Sequence, residues 1–448
     1  MKIARFSRMG FILAAAGSAV GLGNIWKFPY ITGEYGGGAF VLVYLITVIG
    51  IGFTIMIAEM LIGYLGRLDA AASFETLAPR FKSQWRLAGM MGIWAGILIM
   101  TFYSVVIGWI LHYIFVAFGS LPSSVPEAET AFSNMLKEDI ATQLLFHTIS
   151  FLMITAVLVR GIKGGIEKLN FVMMPSLIFI MSSMFIYALS LDGFSQAWDF
   201  MFTPDWSKLN SDAFVVAVGH AFFTVSLGMG AILTYSASLP KNSNLVKSSL
   251  IVVGLDTGIA LLAGLTLFTF LYEYGAEPSK GPGLVFISLP AVFYEMGTLG
   301  NVFAILFFIA LAFAGLTSAV SLTEPMVQYL IDKFSLSRFQ SALSAGLFFY
   351  LVGIIALLSN TSEYGEMLTF GSKNFFDWVD YITASIMLPF GGLLMALFIG
   401  YAVPKSQVYA SLKDSLGKSF ALWYFMLRYI VPIALSIVML NLLGIISF

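Results

Sequence analysis

Cysteine is absent from this chain of 448 residues. Disulfides, cysteine-ligated zinc, iron–sulfur clusters and thiol catalysis are therefore excluded. Histidine is nearly absent as well, since only His112, His147 and His220 occur and they lie far apart in the sequence. Neither an HExxH motif nor a phosphate-binding Gly-x-x-x-x-Gly-Lys-Ser/Thr motif accompanies them. The sequence gives no support to an enzyme.

Charged residues are scarce. They make up 10% of the chain, whereas soluble domains contain about 25%. Hydrophobic residues reach 59%, and the mean hydropathy is +0.91. The 23 basic and 24 acidic residues nearly cancel, so no basic face is left for nucleic acid. This composition predicts an all-α polytopic membrane protein, a single domain over residues 1–448 in a lipid bilayer, with no nucleic-acid partner.

Eleven segments meet the requirement of about 20 apolar residues for a transmembrane helix. Their centres lie near residues 22, 52, 102, 150, 178, 226, 260, 315, 348, 388 and 434. The connections at 120–140, 191–212 and 274–299 are long enough to hold short surface helices.

Lysine and arginine gather at the N-terminus and in alternate loops, which sets the orientation under the positive-inside rule. The protein is expected in the cell (inner) membrane with its N-terminus in the cytoplasm. Its C-terminus is expected on the outside, because the number of spans is odd. The opening also resembles a cleaved signal peptide, with small residues at 14–16. Retention as the first span is favoured, because the alternation of basic loops needs it.

Two predicted spans carry glycines in their middle. The first contains AGSAVGLGNIWKFPY, with Gly21 and Gly23, and the sixth contains FFTVSLGMGAIL, with Gly228 and Gly230. Five spans separate them, so two five-helix units would insert with opposite topology, a pattern typical of transporters with a binding site at the bilayer midplane. We expect a first repeat over 1–190, a second over 213–401 and an extra eleventh helix over 418–446.

Asp256 lies in the apolar run IVVGLDTGIALL of the seventh predicted span. A charge at the centre of a membrane helix costs about 3 kcal/mol on insertion scales and usually has a partner or a function. The nearest basic residue in the sequence, Lys247, lies outside this run. Asp256 is therefore predicted to bind an ion.

These motifs, together with GGGAF at 36–40 and FAGLTS at 313–318, resemble those of the neurotransmitter:sodium symporters, in particular the eleven-span bacterial amino-acid transporters. The resemblance covers essentially the whole chain. It implies a 5+5 inverted repeat with broken helices 1 and 6. It also implies a symporter that imports a neutral L-amino acid, hydrophobic or aromatic, with two sodium ions by alternating access. A transport-inactive amino-acid sensor or a channel-like protein on the same fold is the alternative.

The resemblance implies two sodium sites built from oxygen ligands, the type that hard cations prefer. The first would use the Ala19 carbonyl, the Asn24 side chain, Thr224, Asp256 and the substrate carboxylate. The second would use five residues: Gly17, Val20, Ala314, Thr317 and Ser318. No chloride is expected, because Asp256 already brings a negative charge to the first site and Ala260 offers nothing to hold an anion.

The resemblance also implies a substrate pocket whose members come from spans one, three, six and eight. They are Ser18, Ala19, Gly21, Leu22, Gly23, Ile99, Tyr103, Phe223, Thr224, Ser226, Met229, Ser318 and Leu322. Tyr103 would bind the substrate carboxylate and Phe223 would close over the ligand. Relatives that carry amines have Asp where this chain has Gly21, which favours an amino acid. Met229 favours a large apolar side chain.

Two gates are implied, and a monomer is expected to be sufficient for transport. Outside, Lys27 pairs with Asp380, for which Asp377 is a competitor. Inside, Asp332 pairs with Arg5 or Lys2, although relatives usually carry Trp at the position of Arg5. Charged residues at span ends also serve as simple interfacial anchors.

Two further positions are open to two interpretations. His220 stands where many relatives have Gln, and it is either a titratable group or a buried core residue. Gly165 and Pro175 show the family's Gly-x9-Pro spacing, which allows either unwinding of the fifth span or a static kink.

Overall fold

The computed structural model describes residues 6–240, 242–276, 281, 283–442 and 445–446, and these are almost entirely helical. The first nine helices are α1 Arg8–Ala19, α2 Gly23–Glu34, α3 Gly38–Gly66, α4 Ala70–Leu77, α5 Lys82–Phe118, α6 Val125–Lys137, α7 Ile140–Val159, α8 Ile162–Ala188 and α9 Gly193–Phe202. The others are α10 Ser211–Thr224, α11 Ala231–Ala237, α12 Leu245–Glu273, α13 Leu284–Glu295, α14 Thr298–Phe334, α15 Arg338–Leu358, α16 Phe375–Ala402 and α17 Lys405–Leu442. A short 3-10 turn covers Trp206–Lys208, and β1 Thr369–Phe370 pairs antiparallel with β2 Lys373–Asn374.

Within the described ranges, nine helices are long and apolar enough to cross a membrane, and the bent pair α1–α2 makes a tenth. Helices α10 and α11 are each too short to span. The predicted total of eleven is reached when these two count as one interrupted span. Helices α6, α9 and α13 lie in the three connections predicted to hold surface helices, whereas α4 was not predicted.

The first span breaks at its glycines, as predicted. Helix α1 ends at Ala19, α2 begins at Gly23, and the two axes differ by 43°. The Asn24 side chain accepts a hydrogen bond from the Gly21 amide at 2.9 Å. A side chain thus satisfies a backbone donor within the interrupted helix, as membrane burial requires.

The sixth span also breaks as predicted. Between α10 and α11 three residues adopt left-handed backbone angles, namely Ser226 (φ 55°), Gly228 (φ 80°) and Gly230 (φ 72°). A β-carbon on Gly228 would lie 2.6 Å from the Leu388 carbonyl oxygen. Both the backbone angle and the close approach of α16 therefore require glycine here.

The broken helices lie at the centre of the bundle. Helix α1 packs against α8, α12 and α14. The two helices of 37 residues, α5 and α14, are buried over 78% and 67% of their apolar windows, against 22% for α17. Helix α17 is therefore peripheral, and the interruptions lie where protein, not lipid, surrounds them.

Helix α8 carries both features of the Gly-x9-Pro spacing. It begins with a π-helical turn at Ile162–Ile166 and continues as an α-helix through Pro175. A β-carbon on Gly165 would overlap the Val157 carbonyl, so α8 starts in tight contact with α7. The described conformation is helical on both sides of Pro175, which leaves unwinding and a static kink both open.

Candidate functional site

A carboxylate from α3 holds the second interruption in place. Glu59, which is completely buried, accepts hydrogen bonds from the amides of Gly228 at 3.1 Å and Leu233 at 3.4 Å. It thereby satisfies amides at the start of α11, which have no helical partner. Glu59 was not predicted from the sequence as a site residue. The signal that revealed Asp256, an acidic residue inside an apolar span, also applies to it.

The two interruptions enclose a central cavity of about 10 Å³ at the level of α5 and α14. Eleven of the thirteen predicted pocket residues line it: Ser18, Ala19, Gly21, Gly23, Tyr103, Phe223, Thr224, Ser226, Met229, Ser318 and Leu322. Leu22 instead lines a neighbouring cavity beside Lys27, which is called the outer cavity because the predicted orientation places it towards the outside. Ile99 is buried and lines neither cavity.

One end of the central cavity consists of hydroxyl groups around Gly21. A β-carbon on Gly21 would lie 2.5 Å from the Ser318 Oγ and 3.1 Å from the Tyr103 hydroxyl. The Leu22 amide donates to that tyrosine hydroxyl at 3.3 Å. Donors and hydroxyls therefore converge on the space left by the absent side chain of Gly21, which suits a carboxylate.

Asp256 lies beside this cavity with one oxygen unused. Its Oδ1 accepts hydrogen bonds from Asn24 Nδ2 at 2.7 Å and Thr224 Oγ1 at 3.0 Å, and its carbonyl accepts from the same Asn24 nitrogen at 2.9 Å. Its Oδ2 has no hydrogen-bond partner among the described residues, although Asp256 is completely buried. A buried carboxylate oxygen without a partner is a suitable ligand for a hard cation. The Thr224 hydroxyl oxygen is a second such ligand, whereas Asn24 faces the carboxylate with its nitrogen and its oxygen accepts from the Gly21 amide.

A second oxygen cluster joins α1 to α14. Ser318 Oγ donates to the carbonyls of Gly17 at 3.2 Å and Ser18 at 3.1 Å. Thr317 Oγ1 donates to the Ala314 carbonyl at 3.1 Å. Gly17 of α1 thus contacts Ser318 of α14, whereas the Thr317 hydroxyl is bonded within α14, to Ala314 and, at 2.9 Å, to the Phe313 carbonyl. Gly17, Ala314, Thr317 and Ser318 are four of the five residues predicted for a second cation. The fifth, Val20, is buried at the extended C-terminal end of α1.

On the outer side, Lys27 lies over the cavity. Its Nζ is 3.9 Å from Asp380 Oδ1 and 4.8 Å from the centre of the Phe223 ring. Asp377 lines the same outer cavity of about 150 Å³. Of the two candidate carboxylates, Asp380 is the one within ion-pair distance of Lys27.

On the inner side, the predicted partners of Asp332, Arg5 and Lys2, lie outside the described residues. The Asp332 carboxylate accepts from the Asp69 amide at 3.2 Å and from Gln328 Nε2 at 3.0 Å. Burial raises the pKa of the Asp69 carboxyl, and Asp332 raises it further.

Two contacts near this end of the bundle were not predicted from the sequence. Phe6 is 2% exposed and packs edge-on against Tyr235 of α11 at 5.3 Å. Arg338 forms two hydrogen bonds of 2.6 Å with the buried Glu324, and it also donates to the Leu158 carbonyl. This group ties α7, α14 and α15 together. Sequence spacing alone gave no sign of either contact.

His220 is buried against two aromatic rings that also contact each other. It stacks on Phe28 at 6.0 Å and lies 5.4 Å from Tyr44. Neither ring nitrogen has a hydrogen-bond partner among the described residues, and the side chain lines an outer cavity of about 750 Å³. Its position fits a core residue, and its unpartnered nitrogens leave the other interpretation open.

The chain is similar to known proteins over nearly its whole length. The profile of the sodium:neurotransmitter symporter family matches residues 4–139 and 132–447. The chain is 38% identical to the sodium-dependent transporter YhdH of Bacillus subtilis, over 99% of this chain and 98% of that protein. It is 32% identical to a sodium-dependent transporter of Haemophilus influenzae, over 97% of each.

A solved structure also resembles this one. The crystal structure of MhsT in complex with L-phenylalanine superposes with a TM-score of 0.90 and 41% identity, and the match covers 98% of this chain and 100% of that one. With its membrane-spanning helices interrupted at the predicted positions and family matches over nearly its whole length, this chain belongs to the sodium:neurotransmitter symporter family and is a multi-pass, sodium-dependent membrane transporter.

Proposed function

We propose that this chain is a symporter that imports a neutral L-amino acid, hydrophobic or aromatic, with two sodium ions. The observation that carries the proposal is the Oδ2 of Asp256, which has no hydrogen-bond partner among the described residues and is buried beside Asn24 and Thr224. Thr224 lines the central cavity, and none of the described residues that line this cavity is charged. A cation there would neutralise the buried carboxylate. It would also attract the carboxylate of a substrate in the cavity.

The substrate carboxylate would lie at Gly21, facing the Tyr103 hydroxyl. The side chain would point towards Phe223, Met229 and Leu322. A cavity of about 10 Å³ has room for about one water molecule, so these flexible side chains must move to admit an aromatic substrate. The complex of MhsT with L-phenylalanine supports a substrate of this class.

The second sodium ion would bind where α1 meets α14, between the carbonyls of Gly17, Val20 and Ala314 and the hydroxyls of Thr317 and Ser318. Ser318 would then serve both the ion and the substrate pocket. Binding of the ion would draw α1 and α14 together on the cytoplasmic side of the substrate.

Transport would need no chloride. Asp256 supplies the compensating negative charge, and Ala260 on the same helix has no hydroxyl to bind an anion. A carboxylate within about 4–6 Å of a cation is held in its charged form.

Alternating access would follow from the arrangement of the helices. Helices α1–α2, α3, α10–α11 and α12 would rock against α5, α7, α14 and α15, with residues 1–190 and 213–401 as inverted repeats and 418–446 outside them. The N-terminus would lie in the cytoplasm of a cell whose inner membrane holds the protein, and one monomer would be sufficient. Lys27 and Asp380 would close the outer path.

A thermal-unfolding screen of the twenty amino acids in sodium and in potassium tests the binding part of this proposal. We expect stabilisation by a few hydrophobic or aromatic amino acids in sodium alone. Equal stabilisation in potassium would contradict sodium coupling.

Counterflow of the labelled amino acid in proteoliposomes separates a transporter from a sensor on the same fold. Exchange of internal for external substrate requires alternating access, so a sensor would bind without exchange. A channel-like protein would equilibrate the label without accumulating it against the internal pool.

A further inference from the structure

Asn170 of α8 is a buried polar side chain with half of its amide unused. It is completely buried, and its Nδ2 donates to the Ile166 carbonyl at 2.9 Å, within its own helix. Its Oδ1 has no hydrogen-bond partner in the described part of the chain. Buried polar atoms without a partner are rare in folded proteins and call for an explanation.

This oxygen points at the second oxygen cluster. A β-carbon placed on Gly17 would overlap Asn170 Oδ1, and it would lie 3.1 Å from both Asn170 Cγ and Thr317 Cβ. The oxygen therefore occupies the space that Gly17 leaves by lacking a side chain. Gly17 and Thr317 both belong to the proposed second sodium site, so the free oxygen lies at the edge of that site.

We propose that Asn170 Oδ1 is an additional ligand of the second sodium ion. This inference rests on the proposed function and deepens it. Side-chain amide oxygens are ligands of the kind that hard cations accept. The Nδ2 hydrogen bond to Ile166 fixes the orientation of the amide, so that its oxygen and not its nitrogen faces α1.

The consequence is that three helices would hold the ion. Carbonyls of α1 and hydroxyls of α14 account for two of them, and Asn170 adds α8. It lies between the π-helical turn at Ile162–Ile166 and Pro175. Loosening of this part of α8 would therefore remove a ligand from the ion and favour its release towards the cytoplasm.

Two substitutions separate the role of the oxygen from that of the nitrogen. Asn170→Asp and Asn170→Leu both lose the hydrogen bond to Ile166, but only Asn170→Asp keeps an oxygen at the site. The readout is the sodium concentration that gives half of the thermal stabilisation, with potassium chloride replacing sodium chloride and no amino acid present. Ser176→Ala, at a partly exposed position of the same helix, is the control variant.

We expect the half-saturating sodium concentration to rise about tenfold or more in Asn170→Leu. Substitution of a residue that supports a metal site commonly lowers the affinity for the metal about 10–100-fold. Asn170→Asp should stay within about threefold of the wild type or bind sodium more tightly, and Ser176→Ala should match the wild type. Combined with Thr317→Ala, Asn170→Leu should show a non-additive loss, because both would act on one ion.

Equal effects of Asn170→Asp and Asn170→Leu, or no effect of Asn170→Leu, would overturn the inference. So would full additivity with Thr317→Ala. If Asn170→Leu fails to fold, Asn170→Asp alone decides. A half-saturating sodium concentration of Asn170→Asp as high as that of Thr317→Ala would overturn the inference. A half-saturating concentration equal to that of the wild type would support it. A wild-type protein that sodium does not stabilise would contradict the proposed function itself, and with it this inference.

Discussion

Among individual residues, the distribution of charge around the central cavity stands out. No charged side chain lines the cavity, and the carboxylate beside it, Asp256, has an oxygen without a hydrogen-bond partner among the described residues. A zwitterionic substrate brings one more carboxylate to this region. Sodium would then be required for binding, because two buried negative charges would otherwise repel each other in a low-dielectric environment.

We expect Gly21→Asp to abolish amino-acid binding. The new carboxylate would lie against the Ser318 and Tyr103 hydroxyls, where the substrate carboxylate is proposed to bind. Gly21→Asn is the matched control, because it adds the same bulk without the charge. Binding is measured with labelled amino acid in sodium. Unchanged affinity of Gly21→Asp for leucine, tyrosine and tryptophan would show that the substrate binds elsewhere.

Uptake by the wild type should be the same in chloride and in gluconate, because Asp256 would supply the negative charge at the proposed first sodium site. Asp256→Asn removes that charge but keeps the shape of the side chain. We expect it to raise the sodium concentration for half-maximal uptake in gluconate by about tenfold or more, with partial rescue by chloride. Loss of most wild-type uptake on removal of chloride would contradict this role of Asp256.

Some residues of the candidate site can be recognised in the sequence, but the contacts around them cannot. Asp256 and the paired glycines stand out because a charge or a helix breaker is unusual in an apolar span. Leu22 and Ile99 have no such signal, and the structure places Leu22 at the outer cavity and Ile99 away from both cavities. Asn170 could not be predicted from the sequence, because the space that its oxygen occupies is formed by Gly17 of α1, which is far away in the sequence.

Among the helices, the interruptions are the features on which the site depends. The end of α10 and the start of α11 leave carbonyls and amides inside the bundle, and Glu59 satisfies part of this set from α3. The positions of the breaks follow from glycine content. The partner that stabilises the second break, Glu59, does not, because it comes from another helix.

Gly228→Ala should lower the free energy of unfolding by at least about 1–2 kcal/mol, because a left-handed backbone angle is costly for any residue with a β-carbon and this one would also press on the Leu388 carbonyl. Gly254→Ala in α12 is the control, since no atom lies within 4 Å of its added carbon. Thermal unfolding in detergent compares the two. A Gly228→Ala variant as stable as Gly254→Ala would contradict the requirement for glycine.

For the molecule as a whole, the proposed stoichiometry makes transport electrogenic. Two sodium ions with a zwitterion move two positive charges inward. At about 2.3 kcal/mol per charge per 100 mV, the membrane potential contributes about 4.6 kcal/mol, more than a thousandfold in accumulation.

We therefore expect an inside-negative potential, set by a potassium gradient and valinomycin, to increase uptake into proteoliposomes at a fixed sodium gradient. A potential of the opposite sign should decrease uptake. Uptake that does not respond to the potential would exclude the movement of net charge, so that each sodium ion would have to be balanced by an anion moving inward or a cation moving outward.

Phe223 is a wall of two cavities. Phe223 lines the central cavity of about 10 Å³ and the outer cavity of about 150 Å³. The ammonium group of Lys27 lies over the Phe223 ring and within ion-pair distance of Asp380. A substrate that pushes the ring towards the outer cavity would reduce the volume of that cavity. It would also disturb the ion pair of Lys27 and Asp380 that is proposed to close it. The length of a substrate side chain would therefore matter at two points. It would determine the fit in the central cavity, and it would determine whether the outer path can close. An amino acid slightly too long would bind tightly and yet not be carried, which makes it a competitive inhibitor rather than a poor substrate.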